Sequence, residues 1–266
     1  MTSPSIASIT SSTDTTVHTT ADGLRHGMVD IACDNGPIQG YYAVPEGQTN
    51  PPLVLVIQEI FGVHDHIKDV CRRLAHEGYM AVAPELYQRQ GDASKYGNIQ
   101  ALIRDVVAKV PDEQVLADLD AAVRWAESHG ADTARLVATG FCWGGRLVWL
   151  YAAHNPTCNA AVAWYGRLAR GHGPLQTRNP IDVAPMLHAP VLGLYGGKDD
   201  GIPLDEVKSM ESALEQGGPA SQMSQIVVYP EANHAFFADY RPSYRADDAH
   251  DAWGKMLAWF ERYLVE

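Results

Sequence analysis

The stretch ARLVATGFCWGGRLVWLYAAH, residues 134–154, holds two different patterns in succession. Residues 135–139 form a short, largely apolar run that is typical of a strand buried within a parallel sheet. The segment RLVWLYAAH follows a pair of glycines and is typical of a helix. A buried strand that leads directly into a helix is the repeating unit of a doubly wound α/β sheet, and we take this unit as the basis of the fold.

The same alternation continues on both sides of this stretch. Further buried strands are predicted at residues 53–57 and 79–83 and in NAAVAWYG, PVLGLYGGKD and QIVVYP, with helices between them and the closing helix AHDAWGKMLAWFERYL. Two antiparallel strands joined by a turn at residues 34–37 are predicted ahead of them. We therefore predict a single domain over residues 25–266, with a mostly parallel sheet of about eight strands flanked by helices. Residues 1–24, which are rich in Ser and Thr, are predicted to be a flexible tail.

Composition excludes several classes of protein. A formal net charge of −12 at pH 7 argues against nucleic acid and anionic membrane surfaces as partners, because both would meet a repulsive field. No apolar run of about 18 residues occurs that would predict a transmembrane helix. The N-terminus lacks the basic and apolar regions of a secretory signal. We expect a small molecule as the partner and a monomer or a homodimer.

The four cysteines show no CxxC spacing, and four are too few to stabilise a chain of 266 residues through disulfide bonds. We therefore expect reduced thiols and a cytoplasmic location. No HExxH, HxxEH or similar ligand cluster appears, so the sequence predicts neither a metal site nor a cofactor. The one long irregular stretch, residues 167–185, is interpreted as a loop or cap beside a site.

The hexapeptide GFCWGG, residues 140–145, matches the pattern Gly-x-nucleophile-x-Gly of a strand-to-helix turn, with Cys142 where serine is more usual. The N-terminus of the following helix would favour a thiolate through its partial positive charge. A small, buried and unreactive side chain is the alternative for any free cysteine. That alternative is favoured for Cys33, Cys71 and Cys158, which lie in no such turn, whereas Cys142 is predicted to be a nucleophile.

A nucleophilic cysteine needs a base, and the base needs a group that orients it. In the order expected after this type of turn, the acid comes before the histidine. Asp199 lies just past the predicted strand in LYGGKDDGIP, and Asp200 is interpreted as an ordinary turn acid. His234 lies between the last strand and the last helix. Four other histidines occupy no such junction and are predicted to be surface groups: His154, His172, His188 and His250.

Four separated motifs, in order, resemble those of the dienelactone hydrolases: QEIFG at 58–62, GFCWGG at 140–145, GGKD at 196–199 and NHAFF at 233–237. The resemblance extends from about residue 27 to the C-terminus and includes VAPELY and RPSY. It implies an α/β-hydrolase fold and the hydrolysis of an ester or lactone by Cys142, His234 and Asp199. It also implies that Glu59 contacts the cysteine and promotes its ionisation, and that the N–H groups of Ile60 and Trp143 form the oxyanion hole.

The resemblance is weakest where the substrate would be held. Well-known members use arginines to hold a substrate carboxylate, and the sequence departs from them at both positions, with only Arg104 and Arg241 nearby. Phe236 and Phe237 suggest a more apolar pocket, so the reaction is predicted more firmly than the substrate. Two other classes remain open, a non-catalytic small-molecule binding protein on the same fold and a thiol redox enzyme.

Overall fold

The computed structural model describes residues 5–264, and within that range eight strands form a single sheet. In chain order they are β1 (Leu24–Ile31), β2 (Ile38–Pro45), β3 (Pro52–Ile57), β4 (Met80–Pro84), β5 (Asp132–Phe141), β6 (Cys158–Trp164), β7 (Val191–Gly196) and β8 (Gln225–Tyr229). Their order across the sheet is β1-β2-β4-β3-β5-β6-β7-β8. The β1–β2 and β2–β4 pairs are antiparallel and the remaining pairs are parallel, which confirms the predicted mostly parallel sheet.

The helices are α1 (Ile6–Ile9), α2 (Asp65–His76), α3 (Ile99–Asp105), α4 (Asp112–Ser128), α5 (Trp143–His154), α6 (Pro180–Val183), α7 (Leu204–Glu215), α8 (Pro219–Met223) and α9 (Ala246–Tyr263). Short 3₁₀ turns occupy residues 93–95, 107–109 and 184–186. Helices α4 and α5 pack against each other and against β5, α2 packs on β2 and β4, and α9 packs on β6 and β7. No described helix combines the length and apolarity that crossing a bilayer would require.

The central strands are apolar because both of their faces are covered. In β3 the side chains of residues 53–57 are all fully buried, and β4 is buried along its whole length. Strand β1 lies at the sheet edge, and residues 26–30 alternate between exposed and half-buried, as expected of a strand with one solvent-exposed face. The core therefore follows β3 to β7, and the carboxyl ends of these parallel strands meet at one edge of the sheet.

The segment predicted as a flexible tail makes specific contacts with the rest of the domain at several of its described residues. Ile6 is 1% exposed, and its N–H donates to the carbonyl of Tyr96. Further along, the N–H of Thr19 donates to the Asp69 carboxylate at 2.7 Å. Residues 5–23 thus lie along the body of the domain, whereas residues 1–4 of the predicted tail fall outside the described residues.

Candidate active site

Cys142 lies between the last residue of β5 and the first residue of α5, as the motif predicts. Its backbone has φ 55° and ψ −112°, a strained conformation for a residue with a side chain. The N–H of Cys142 donates to the carbonyl of Trp164 at the end of β6, with a distance of 2.9 Å. This bond ties the strained turn to the neighbouring strand and fixes it at the carboxyl edge of the sheet.

Glycines let the first turn of α5 approach β3 closely. A Cβ on Gly144 would lie 2.3 Å from the carbonyl oxygen of Ile57 and 2.5 Å from that of Gln58. No side chain fits in that space. The close approach brings the segment after β3, which carries Glu59 and Ile60, next to the turn that carries Cys142.

We predict that Gly144→Ala lowers the free energy of unfolding by about 1–3 kcal/mol, because the added methyl group meets backbone atoms that cannot turn aside. Urea unfolding followed by circular dichroism measures this change. Gly254→Ala in α9 is the matched control, since its Cβ would meet nothing within 4 Å, and it is expected to stabilise the protein by up to about 1 kcal/mol. Equal stability of the two variants would contradict the close-packing explanation.

Asp199 and His234 meet beside this turn from two other strand ends. Asp199 follows β7 and is 6% exposed, and its Oδ2 lies 2.7 Å from Nδ1 of His234. Its other oxygen accepts a hydrogen bond from the N–H of Gly201 at 2.8 Å. His234 follows β8, with 34% of its side chain exposed. The carboxylate is therefore buried and fixed, and the imidazole it orients reaches solvent.

The negative charge of Cys142 is one of the groups that set the pKa of His234. Removal from water lowers this pKa, but the negative charge of Cys142 and the hydrogen bond with Asp199 outweigh that effect and raise it to about 10. The imidazolium is therefore favoured at neutral pH when the sulfur is a thiolate. The structure thus brings Cys142, His234 and Asp199 together from the ends of three different strands.

Glu59 is buried at 1% exposure immediately after β3. Its Oε2 accepts a hydrogen bond from the Tyr240 hydroxyl at 2.6 Å and lies 3.1 Å from Nε2 of His64. Burial raises the pKa of Glu59, but the hydrogen bonds from His64 and Tyr240 outweigh that effect and hold it below its usual value, while burial lowers the pKa of His64 itself. Glu59 is thus held as a carboxylate by His64 and Tyr240, and its predicted contact with Cys142 stays a prediction.

The two predicted oxyanion-hole residues lie on the segments that Gly144 brings together. Ile60 belongs to a tight turn in which the N–H of Gly62 donates to the carbonyl of Glu59. Trp143 is the first residue of α5, so its backbone N–H has no acceptor within the helix. Its indole is 1% exposed and packs against Tyr87, with 4.7 Å between the ring centroids.

The residues predicted to bind substrate are scattered. Phe236 is fully buried, and Phe237 stacks on Phe141, with ring centroids 5.3 Å apart. Arg104 is exposed and pairs with the adjacent Asp105. Arg241 is half-buried, and its guanidinium lies 5.7 Å from the Phe61 ring centroid. A direct role for any of the four in binding substrate stays a prediction, and Arg241 is the one placed beside the segment that carries Glu59.

Sequence reasoning missed several side chains near the site. Tyr165 has positive φ (38°), and its ring centroid lies 5.2 Å from that of His234. His172 was predicted to be a surface group, but its Nδ1 is buried, and burial together with Arg167 lowers its pKa to about 3. Tyr240 reaches Glu59 across 181 residues of sequence. No local sequence pattern predicts these contacts, because they depend on how the loops fold back over the sheet.

Other chemistry at this edge of the sheet was checked against the described residues. All four cysteines are free thiols. Among residues 5–264, no group of three or more His, Cys, Asp or Glu side chains is arranged to hold a metal ion.

A strained turn between a strand and a helix, an acid after a later strand and a histidine after the last one together define an α/β-hydrolase. The model of the dienelactone hydrolase family matches residues 38–264, and the chain belongs to that family. A relative from Methylorubrum extorquens, provisionally named carboxymethylenebutenolidase, is 57% identical over 94% of this chain and 86% of its own length. A relative from Escherichia coli with the same provisional name is 52% identical, over 94% of this chain and 91% of its own length.

Solved structures agree with this assignment. The crystal structure of a provisionally named dienelactone hydrolase from Klebsiella pneumoniae superposes with a TM-score of 0.87 at 53% identity, covering 91% of this chain and 100% of the other. A dienelactone hydrolase-like phosphotriesterase from metagenomic libraries, at 23% identity and a TM-score of 0.71, shares the fold. The predicted α/β-hydrolase fold and the predicted family are therefore confirmed, and the protein is a hydrolase of this family.

Proposed function

We propose that the protein hydrolyses a carboxylic ester or lactone with Cys142 as the nucleophile, His234 as the base and Asp199 as the group that orients the base. The observation that carries the proposal is the 2.7 Å contact between His234 and a buried Asp199, next to a cysteine held in a strained strand-to-helix turn. A nucleophile with a base that is itself oriented by a third group is the arrangement that covalent acyl transfer requires.

The reaction proceeds in two halves. The Cys142 thiolate attacks the carbonyl carbon, a C–S bond forms, and the N–H groups of Ile60 and Trp143 bind the oxyanion. The C–O bond then breaks, and the His234 imidazolium donates its proton to the departing oxygen. In the second half, His234 takes a proton from water as the water attacks the thioester carbonyl. The acid is released, and the thiolate and imidazolium form again.

Glu59 assists this cycle as a fixed carboxylate. Because the pKa of His234 is raised to about 10 and that of Glu59 is lowered, the proton shared by Cys142 and His234 is on His234 before substrate binds, and Glu59 is ionised. A direct contact between Glu59 and Cys142 would require the carboxylate to leave His64 and Tyr240. The hydrogen bonds at Glu59 thus support a role that begins when the site is filled.

The substrate class is an ester or lactone small enough to reach the carboxyl edge of the sheet. Arg241, half-buried beside Phe61, is the best placed of the predicted substrate-binding residues to meet a polar group of the substrate. The four free thiols support the cytoplasm as the compartment in which the protein acts. A monomer or a homodimer remains our expectation for its assembly.

The proposal predicts that the wild-type protein turns over both p-nitrophenyl acetate and a dienelactone, and that iodoacetamide stops both reactions in proportion to alkylation of Cys142. Initial rates combined with peptide mass spectrometry measure the two quantities on the same samples. Full turnover by a protein whose Cys142 is completely alkylated would exclude the proposed nucleophile. A clearly higher kcat/KM for the dienelactone than for p-nitrophenyl acetate would identify a lactone as the preferred class of substrate.

A further inference from the structure

The N-terminal segment, residues 5–23, reaches the last loop of the candidate site. The hydroxyl of Thr15 donates a hydrogen bond to the carbonyl of Asp239, and the Thr13 hydroxyl lies 3.3 Å from the same oxygen. In the described part of the chain, these two hydroxyls are the only groups that bond to that carbonyl. The segment also lies outside residues 38–264, the range that the family model matches. A part of the chain outside the matched range therefore contacts a loop of the site.

Asp239 is held from its other side by α2. It is 1% exposed, its Oδ1 lies 3.1 Å from Nδ1 of His66, and its Oδ2 accepts a hydrogen bond from Arg73. The Nε of Arg73 also donates to Asp69 at 2.6 Å. Asp69 in turn accepts the N–H of Thr19 at 2.7 Å and its hydroxyl at 3.1 Å. The N-terminal segment is therefore attached to α2 and to the loop together, and Asp239 is bonded to both.

The loop that contains Asp239 joins the proposed base to the group that holds Glu59. It begins at His234 and passes through Ala235, whose φ of 61° is strained for a residue with a side chain. It continues to Tyr240, which is 3% exposed and whose hydroxyl donates to Glu59 at 2.6 Å. Glu59 directly precedes one of the two residues proposed for the oxyanion hole. A shift at Asp239 would therefore displace the hydrogen bond that fixes this carboxylate.

We propose that Thr15, with Thr13 beside it, is a positioning residue of the active site, whose hydroxyl holds Asp239 so that the Tyr240 hydroxyl stays on Glu59. The proposal rests on the ester hydrolysis proposed above. The backbone N–H that follows Glu59 must point at the oxyanion as its charge develops. Displacement of Glu59 therefore weakens binding of the transition state more than binding of the substrate, and the loss should appear in kcat rather than in KM.

The test removes both hydroxyls in the double-valine variant, Thr13→Val/Thr15→Val. Because both threonines are exposed, the fold should stay intact. We expect kcat for p-nitrophenyl acetate to fall about 3- to 10-fold, as for loss of one hydrogen bond, with KM within about twofold of the wild type. Thr13→Val/Thr15→Ser keeps the donating hydroxyl and should restore most of kcat. An unchanged kcat in the double-valine variant would overturn the proposal.

Thr10→Val is the matched control. Thr10 lies in the same segment, but its hydroxyl bonds within the segment, to the carbonyl of Ile6 at 3.1 Å. The substitution should therefore leave kcat and KM at their wild-type values. An equal loss in Thr10→Val and in the double-valine variant would show a general effect of the segment and would contradict the role of Thr15.

Tyr240→Phe separates positioning from a purely structural effect. If Thr15 acts through the Tyr240 hydroxyl, the two valines should lower kcat about 3- to 10-fold when that hydroxyl is present and by less than about twofold when it is absent. Independent changes would instead multiply, as they do for groups that share no partner. Multiplying losses in the combined variant would exclude the proposed connection to Glu59.

Amide hydrogen exchange tests the same connection without hydrolysis. In the double-valine variant the peptide covering residues 59–63 should exchange about 3- to 10-fold faster than in the wild type, with no change in Thr10→Val. In the Tyr240→Phe background the two valines should add no further increase. If no ester is hydrolysed, the proposed function fails while this comparison still decides the role of Thr15. Equal exchange in the wild type and the double-valine variant would exclude that role.

Discussion

Replacing Cys142 with alanine is expected to lower kcat/KM for p-nitrophenyl acetate by roughly 10⁴- to 10⁶-fold, as for removal of the nucleophile in other catalytic triads. The reason is geometric, because the strained turn fixes one side chain beside His234 and offers no second nucleophile in its place. Steady-state kinetics on the purified variant measure the loss, and an unchanged circular dichroism spectrum shows that the fold is intact.

Cys33→Ala is the matched control for this experiment. Cys33 is also a free, partly exposed thiol, but it lies in the turn between β1 and β2, beside the outermost strand of the sheet and away from β5. Its replacement is expected to leave kcat/KM within about twofold of the wild type, in line with a substitution away from any site. Comparable losses in the two variants would point to general damage rather than to removal of a nucleophile.

His234→Gln is expected to lower kcat/KM at pH 7 by a similarly large factor, roughly 10⁴-fold or more, because the thiol loses the group that takes its proton. The pH profile separates this role from a structural one. In the wild type the pKa of His234 is raised from 6.5 to about 10, so the imidazolium is retained at neutral pH and lost as the pH rises through about 10. The wild-type rate should therefore stay level through neutral pH and fall near pH 10.

In His234→Gln no imidazole takes the proton from the thiol, so the residual rate should rise with pH instead of staying level. His188→Gln is the control, since His188 is an exposed residue outside the site. It should keep the wild-type rate and the wild-type profile. A His234→Gln profile with the same shape as the wild type would argue that the imidazole is not the base.

The fold was largely predictable because burial imposes a simple pattern on the central strands. Strand β3 was predicted at residues 53–57 and spans Pro52–Ile57, and β4 is displaced by one residue from its predicted position. The residues proposed as nucleophile, acid and base were all found from strand ends and chain order, which the parallel sheet turns into proximity in space. These features are local in sequence or follow directly from topology.

The rest of the site depends on contacts that no local pattern encodes. Tyr240 reaches Glu59 from a loop far along the chain, and Tyr165 meets the His234 ring from the end of β6. The N-terminal segment illustrates the same limit, because its composition is that of a flexible tail, while contacts such as the buried side chain of Ile6 and the hydrogen bond from Thr19 to Asp69 attach it to the body. A prediction made from composition alone contains no information about such individual contacts.

The central claim is that the acyl group of the substrate is carried by Cys142. It is tested most directly by quenching the wild-type protein with acid during turnover of p-nitrophenyl acetate and locating the acetyl group by peptide mass spectrometry. We predict one acetyl group on the peptide that contains Cys142, lost on treatment with hydroxylamine as a thioester should be. An acetyl group on a different side chain, or continued turnover with Cys142 unmodified throughout, would contradict the account.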